Sequence, residues 1–212
     1  MNLLLLVISA YIIGSVPTAY WIGKLFFGLD IREHGSKNMG ASNTFRVMGP
    51  VWGIIVLIID MAKGVAAVLL AQNVQSADLL GTEKMFWQLI LGLVAVFGHV
   101  FPLFAGFKGG KGVATLFGVV LAIQPITALI SVAAFLVVVF LTKYISLGSI
   151  IATVVFMLCV WFAFNESNVY IRWFSIVAAL LVIITHRSNL VRMIKGSEKK
   201  IKWQWKKKKK ES

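Results

Sequence analysis

Long apolar blocks separated by short polar clusters are the feature that most constrains what this chain can fold into. Hydrophobic residues occupy 59% of the 212 positions and charged residues only 14%, whereas a soluble domain carries about 25% charged residues. So few charges cannot cover a large soluble core with polar surface, and uninterrupted apolar blocks are what a bilayer requires. The sequence therefore predicts an all-α polytopic membrane protein.

The apolar blocks predict seven membrane-spanning helices. They cover residues 3–22, 51–70, 85–104, 113–123, 126–141, 150–164 and 169–185. The fourth block is too short alone and could form one kinked span with the fifth, because proline disrupts a helix interior. The pair Gln124-Pro125 between them is typical of a turn between two short helices, so seven spans are favoured over six.

The distribution of charge predicts the orientation in the membrane. The chain has 21 Lys and Arg residues against 8 Asp and Glu, and eleven of the basic residues lie between Arg187 and Lys210. With seven spans, this tail shares one side with the basic loops 23–50, 105–112 and 142–149, whereas six spans would divide them. The positive-inside rule then predicts a cytoplasmic C-terminus and an N-terminus outside.

The same charge distribution bears on domains and partners. We expect residues 1–200 to form a single seven-helix membrane domain with a cytoplasmic-side active site, and residues 201–212 to form a basic, disordered tail. A basic tail beside an apolar span contacts anionic lipid headgroups more readily than nucleic acid, so no nucleic-acid partner is predicted. The single cysteine, Cys159, lies inside an apolar block, which excludes a disulfide framework. No obligate protein partner is inferred.

The first polar cluster runs from Gly35 to Thr44 and is followed by Arg46. Its small, hydroxyl and amide residues leave backbone N–H groups free to converge on an anion, with a cation nearby. A flexible loop of turn-forming residues would have the same composition. The segment alone supports both interpretations equally, and its candidate ligands are Ser36, Asn38 and Arg46.

The second cluster is Lys108-Gly109-Gly110-Lys111-Gly112, at the boundary of an apolar block. Glycines let the backbone approach a bound group, the two lysines supply donors, and the N-terminus of the following helix favours phosphate. The spacing does not match the P-loop of nucleotide-binding proteins. We interpret the segment as a phosphate-binding loop.

Two further clusters allow a structural interpretation as well as a functional one. Asp60 and Lys63 are three residues apart, so a helix places them on one face, where they can pair with each other or with a polar cavity. A structural ion pair is slightly favoured over a catalytic role. Ser146 and Ser149 lie in the segment 142–149 and are candidate substrate ligands, although Ser149 fits a helix N-cap equally well.

The last cluster follows the seventh apolar block and contains His186, Arg187, Asn189 and Arg192, followed by Lys195, Gly196 and Glu198. Residues three apart align on a helix, so the imidazole of His186, the amide of Asn189 and the guanidinium of Arg192 would share one face. Such a face can bind an anion.

Catalytic motifs of common soluble enzymes are absent. No histidine is followed five residues later by aspartate, which excludes a His-x4-Asp dyad, and neither a G-x-S-x-G motif nor a carboxylate pair for metal-assisted hydrolysis is present. The clusters instead offer cations, amides and hydroxyls. Such groups suit an anionic substrate that carries its own activated bond, and no metal or cofactor is predicted.

These motifs, in this order, resemble those of the PlsY family, the acyl-phosphate:glycerol-3-phosphate acyltransferases of bacterial membranes. The resemblance extends to about Lys200, with Ser42 where the family often has Thr, Lys143 where Arg is common, and a longer Lys-rich tail. It implies seven helices in the bacterial cytoplasmic (inner) membrane. It also implies transfer of a fatty acyl group from acyl phosphate to the sn-1 hydroxyl of glycerol 3-phosphate. The expected partners are those two substrates and membrane lipids.

The resemblance and the four clusters together predict the site. The catalytic candidates are His186, Ser36 and Asn189. The substrate-binding candidates are hydroxyl, amide, glycine and cationic residues of the clusters: Ser36, Asn38, Arg46, Lys63, Lys108, Gly109, Gly110, Lys111, Gly112, Ser146, Ser149, Arg187 and Asn189.

The sequence leaves two alternatives open, one for the general base and one for the function. The general base for the glycerol hydroxyl is either His186 or the substrate phosphate, whose second pKa is about 6, and the substrate-assisted route is favoured. The alternative function is a transporter of a small organic anion. A transporter would need charged groups near the bilayer midplane and access from both sides, whereas the clusters gather at one face.

Overall fold

The computed structural model describes residues 2–74 and 84–201, and these residues form an all-helical structure. The predicted tail 201–212 therefore lies outside the described residues except for Ile201. In chain order the α-helices are α1 (Leu3–Ser15), α2 (Thr18–Phe27), α3 (Ala41–Val47), α4 (Pro50–Leu70), α5 (Lys84–Val100), α6 (Val113–Ile123), α7 (Pro125–Thr142), α8 (Ile145–Leu158), α9 (Val169–Thr185) and α10 (Arg187–Ile194).

Four helical segments of the described chain are long and apolar enough to cross a membrane. They are Pro50–Asn73, Lys84–Ala105, Pro125–Thr142 and Ile145–Ala163. The count rises to six if α1 with α2, and α9 with α10, are each taken as one bent span. The all-α membrane class predicted from the sequence is thus confirmed. By length alone α6 is not among these spans, because 11 residues rise only about 16 Å and the hydrocarbon core is about 30 Å thick.

The breaks between helices occur at proline and at polar residues. As predicted, Gln124-Pro125 separates α6 from α7, and Pro125 is the first residue of α7. The first predicted span, 3–22, is not continuous, because Val16 and Pro17 separate α1 from α2 and the two helices bend by 42°. Proline cannot donate a backbone hydrogen bond, and it disfavours the helical conformation in the residue before it. A second bend of 56° separates α9 from α10 at His186.

Two predicted loops are more helical than the sequence indicated. The segment 142–149 was expected to lead into a helix from 150, but α8 begins at Ile145, so Ser146 and Ser149 lie on its first turns. The hydroxyl of Ser149 donates to the carbonyl of Ile145 within the helix and does not cap it. The predicted loop 23–50 contains the end of α2 and all of α3. Helix α2 is followed by Gly28, whose φ of 63° is the left-handed conformation typical of a helix C-terminus.

Hydrogen bonds from side chains and from the backbone join the turns at two ends of the bundle. At one end, the amide of Gln124 in the α6–α7 turn donates to the carboxylate of Glu166, between α8 and α9, at 2.7 Å. At the other end, the backbone N–H of Ile201 donates to the carbonyl of Lys143, in the α7–α8 turn, at 2.9 Å. Lys111, just before α6, bonds Asn189 on α10. Lys111, just before α6, therefore contacts α10, whereas Gln124, just after α6, contacts the segment between α8 and α9.

The short helix α6 packs closely on α4 because glycines let the two backbones approach. A Cβ atom at Gly64 would overlap the carbonyl oxygen of Thr115, and one at Gly118 would overlap that of Met61. A cluster of buried apolar residues includes members from α4 to α9 and from the segment after α8; its fully buried members include Val96, Val119, Val160 and Val182.

We expect Gly118→Ala to lower the melting temperature of the detergent-purified protein, because the added methyl group must separate α6 from α4. Overpacking of this kind costs about 1–3 kcal/mol. Ala122→Val, one turn later on the same helix at an exposed position, is the matched control and should leave the melting temperature unchanged. Equal effects of the two substitutions would contradict the close contact.

Candidate active site

The glycine loop, residues 108–112, folds back on the end of α5. The backbone N–H of Gly110 donates to the carbonyl of His99, and that of Gly109 donates to the carbonyl of Val100, each at 3.1 Å. Gly112 then adopts a left-handed conformation with φ of 75°, and α6 starts at the next residue. The first N–H groups of α6 thus follow directly on the loop, and they favour a negatively charged group.

A network of charged and polar side chains connects the glycine loop to α10 and to the segment after it. The ammonium of Lys111 donates to the side-chain oxygen of Asn189, and the amide nitrogen of Asn189 donates to Glu198 at 2.5 Å. The Ser146 hydroxyl donates to the same carboxylate oxygen of Glu198 at 2.9 Å, and Arg192 donates to the other oxygen at 2.7 Å. Glu198 therefore orients three donors around Lys111.

The surroundings of this network shift the pKa values of its ionisable groups. Burial lowers the pKa of Lys111 to about 8; the negative charge of Glu198 raises it and the positive charge of Arg192 lowers it further. Burial raises the pKa of Glu198, but hydrogen bonds from Asn189, Arg192 and Ser146 outweigh this effect and leave the pKa below its usual value. Near neutral pH, Lys111 is cationic and Glu198 is anionic.

His186 lies at the bend between α9 and α10 and is buried, with 3% of its surface exposed. Its Nδ1 is 2.8 Å from the carbonyl oxygen of Val182. A carbonyl can only accept, so Nδ1 carries the proton, and in the neutral ring Nε2 is left as the acceptor. The imidazole is thus held in the orientation of a possible general base or of a ligand.

Asn43, near the start of α3, fixes the conformation of the first polar loop, which comprises the residues of the first polar cluster, 35–44. Its amide nitrogen donates to the carbonyls of Ile31, His34 and Asn38, and its side-chain oxygen accepts from the N–H of Ser36 at 2.7 Å. Ser36 itself is exposed. The buried amide of Asn43 therefore fixes the backbone that carries the candidate ligands Ser36 and Asn38.

Two contacts bring the first polar loop towards the rest of the site. The ammonium of Lys199 donates to the carbonyl of Gly35 at 2.7 Å, so the segment after α10 reaches this loop. Arg32 forms an ion pair with Asp30 at 2.7 Å, donates to the carbonyl of Ala105, and lies over the ring of Tyr20. The hydrogen bond from Arg32 lowers the pKa of Asp30 to about 2. The loop before α3 is thereby tied to the segment that precedes the glycine loop.

Lys108 and Gly109 face an open cavity of about 440 Å³ next to these contacts. Its other lining residues come from the first polar loop and its approach: Asp30, Arg32, Glu33 and Lys37. Three of the five charged side chains are cationic, so the cavity can hold an anionic group.

The structure brings some predicted site residues together and leaves others apart. Lys111, Ser146, His186 and Asn189 lie around the Glu198 network, while Ser36 and Asn38 share the first polar loop and Lys108 to Gly112 form the glycine loop. Lys63 is buried and its ammonium bonds Asp60 and the carbonyl of Val16. Arg46 and Arg187 are exposed, and neither side chain forms a hydrogen bond or ion pair with other described residues.

Sequence analysis placed Arg192 and Glu198 in the last cluster but not among the candidate site residues, and it gave no role to Asp30 or Arg32. A signal existed for Glu198, which is the single carboxylate in the cationic segment between Arg187 and Lys210. For Asp30 and Arg32 the sequence offers only two residues of opposite charge in a polar loop, and such pairs are common on protein surfaces.

The apolar helices define an integral membrane protein, and cationic, amide and hydroxyl side chains gather at its polar end, where the glycine loop, the first polar loop and α10 lie. Among residues 2–74 and 84–201, no three or more His, Cys, Asp or Glu side chains are grouped so that they could hold a metal ion. Residues 4–196 match the family model described as glycerol-3-phosphate acyltransferase. The chain therefore belongs to the glycerol-3-phosphate acyltransferase family, of the PlsY type, which confirms the resemblance seen in its motifs.

Individual relatives cover nearly the whole chain. The glycerol-3-phosphate acyltransferase of Listeria monocytogenes is 45% identical over 206 residues, which cover 95% of this chain and 98% of that protein. The protein of the same name from Staphylococcus saprophyticus is 45% identical over 207 residues, covering 96% and 100%.

Two solved structures share the fold. They are crystal structures of PlsY (YgiH), an integral membrane glycerol 3-phosphate acyltransferase, in a glycerol 3-phosphate form and a lysophosphatidic acid form. Their TM-scores are 0.83 and 0.80, with identities of 38% and 37%, and each comparison covers 94% of this chain and 95% of that chain.

Proposed function

We propose that this protein transfers a fatty acyl group from acyl phosphate to the sn-1 hydroxyl of glycerol 3-phosphate, producing lysophosphatidic acid and phosphate. The observation that carries the proposal is the partly buried cation of Lys111, bonded to Asn189 and close to His186 beside the glycine loop, in a chain whose relatives are glycerol-3-phosphate acyltransferases. Both substrates are anionic, so each needs charge-assisted donors of this kind.

Acyl phosphate as the donor agrees with the chemistry of the site. It is a mixed anhydride, so its phosphate leaves without an enzyme nucleophile, and the protein needs only to position two substrates and stabilise the oxyanion that forms. The proposed phosphate ligands are side-chain donors and the backbone N–H groups of the glycine loop. They are Ser36, Asn38, Arg46, Lys108, Gly109, Gly110, Lys111, Gly112, Ser146, Ser149, Arg187 and Asn189.

The glycerol hydroxyl must lose a proton as it attacks the acyl carbon. Two groups can accept it: Nε2 of His186, which is free once Nδ1 donates to Val182, or a phosphate oxygen of the substrate, whose second pKa is about 6. We favour the substrate phosphate as the base. In this route His186 and Asn189 bind and orient the substrate, and Ser36 supplies a further donor.

We further propose that the chain crosses the membrane seven times, with the N-terminus outside and the C-terminus in the cytoplasm of a bacterial cell. Residues 1–200 would form one membrane domain with its site on the cytoplasmic side, and 201–212 a basic tail at anionic lipid. The contacts of Lys111 with Asn189 and of Gln124 with Glu166 support a crossing by α6, because they tie its two ends to different sets of turns.

The test of the function is turnover by the purified protein. With palmitoyl phosphate and glycerol 3-phosphate, without ATP and with EDTA present, we expect lysophosphatidate and inorganic phosphate to appear in equal amounts. Lys111→Ala should lower kcat/KM by about tenfold or more, because a hydrogen bond to a charged group is worth about 1.5–3 kcal/mol. Lys195→Ala, an exposed cation at the same end, is the control. Turnover with palmitoyl-CoA alone, or its loss in EDTA, would refute the proposed donor or the absence of a metal.

The His186→Ala variant distinguishes the two candidate bases. If the substrate phosphate is the base, KM should rise more than kcat falls, because the imidazole only binds and orients. If His186 is the base, kcat should fall by roughly 10²–10⁴. Thr185→Val is the matched control, since it removes a neighbouring hydroxyl that bonds the same Val182 carbonyl. Wild-type kinetics of His186→Ala would remove the residue from the site.

Affinity for glycerol 3-phosphate should fall as the pH rises through about 8. Lys111 is cationic below this pKa and neutral above it, whereas the substrate phosphate is already a dianion above pH 7. We expect KM to increase by up to about tenfold between pH 7 and pH 9. Lys111→Arg keeps its charge throughout this range and should flatten the profile. An unchanged profile in Lys111→Arg would assign the pH dependence to another group.

Single cysteines test the proposed topology in a Cys159→Ala background. Ser167→Cys and Ser188→Cys place the same exposed substitution at the two ends of the bundle. In intact cells a membrane-impermeant maleimide should label position 167, and it should label position 188 only after permeabilisation. Labelling of both from one side would rule out the seven-crossing arrangement.

A further inference from the structure

The imidazole of His99 lies directly against the glycine loop. A Cβ atom built at Gly110 would overlap this ring, and its three nearest neighbours are Nε2, Cδ2 and Cε1 of His99. The N–H of Gly110 also donates to the carbonyl of His99. One residue at the end of α5 therefore contacts Gly110 through both its backbone and its side chain.

A buried ionic network lies on the other side of the His99 ring. The ring Nδ1 is 3.8 Å from a carboxylate oxygen of Asp60. The same oxygen accepts from the ammonium of Lys63 at 2.5 Å and from the hydroxyl of Thr18 at 3.0 Å. Asp60 is 1% exposed and His99 8% exposed, so neither side chain has room to turn towards water.

The network also fixes the backbone around it. Lys63 donates to the carbonyl of Val16 at 2.6 Å, where the chain breaks between α1 and α2. The ring of His99 thus lies between the Asp60 carboxylate, which also accepts from Lys63 and Thr18, and a loop that carries two lysines. A buried charged pair with its bonds satisfied is rigid, because any displacement leaves a charge without a partner.

We infer that His99, packed between Asp60 and the glycine loop, is a positioning residue for that loop, and that position 110 requires glycine because of the imidazole beside it. The alternative is that Gly110 is small so that the substrate can approach the backbone. Both explanations give a defect in Gly110→Ala, but only the first makes that defect depend on His99. In the same network Lys63 acts through Asp60 and not by contact with substrate.

The discriminating experiment is a double-mutant cycle on His99 and Gly110. We expect Gly110→Ala alone to raise KM for glycerol 3-phosphate by tenfold or more, with a smaller change in kcat. In the His99→Ala background the space beside position 110 is open, so adding Gly110→Ala should raise KM by less than about twofold. If Gly110→Ala raises KM by the same factor in both backgrounds, the requirement for glycine at position 110 comes from the substrate and not from His99.

Gly112 provides the matched control. Its Cβ would meet Val96, not His99, and its φ of 75° strains any other residue. Gly112→Ala should therefore raise KM by the same factor whether or not His99 is present. Rescue of Gly112→Ala by His99→Ala would show general loosening of the loop and would overturn the specific contact.

The inference rests on the proposed function for its kinetic measurement, so the cycle is repeated with the melting temperature of the detergent-purified protein, which needs no activity. Gly110→Ala should lower the melting temperature in the wild-type background and not in the His99→Ala background. If the wild type does not form lysophosphatidate, the proposed function fails. The melting temperatures still show whether His99 is the reason that position 110 requires glycine. His99→Asn, which also shortens the side chain, replaces His99→Ala if that variant does not fold. Additive melting shifts in both backgrounds would overturn the inference.

Discussion

Ionised side chains persist inside an apolar helix bundle only where each finds partners, and this requirement organises the centre of the protein. Asp60 and Lys63 pair with each other on α4, and each has a further partner: Thr18 donates to Asp60, and Lys63 donates to the carbonyl of Val16. Removing one partner of such a pair costs about 3–5 kcal/mol, because the other charge is left buried and uncompensated. The pair therefore fixes where the first helix breaks relative to α4.

Close packing of α6 on α4 relates the position of the glycine loop to that of the buried Asp60–Lys63 pair. Gly64 and Gly118 let α4 and α6 approach, so the start of α6 has a defined place relative to the buried pair. The glycine loop joins that start to the end of α5, and Lys111 extends from the loop to α10. Rigid helices thus position a loop that would have many conformations alone, which is the arrangement that electrostatic catalysis requires.

The sequence was sufficient for features that depend on local composition. Apolar blocks predicted the membrane helices, Gln124-Pro125 predicted a helix boundary, and the glycine loop was recognised as a unit. Features that depend on distant partners were missed. Pro17 lies within an apolar block, and the bend beside it is stabilised by Lys63, 47 residues away from Val16. Glu198 bonds Ser146 across 52 residues, a relation that helical periodicity cannot indicate. The start of α8 was placed too late because its serines were interpreted as loop residues.

Glu198 and Lys199 follow the last described helix, yet they contact Asn189 on α10, Ser146 on α8 and the carbonyl of Gly35 in the first polar loop. Translation proceeds from the N-terminus, so every membrane helix leaves the ribosome before these two residues do. A nascent chain can therefore insert all its helices and still lack the carboxylate that orients Asn189. The network around Lys111 can thereby assemble only after residue 198 has been synthesised, and a chain that stops before Glu198 lacks it.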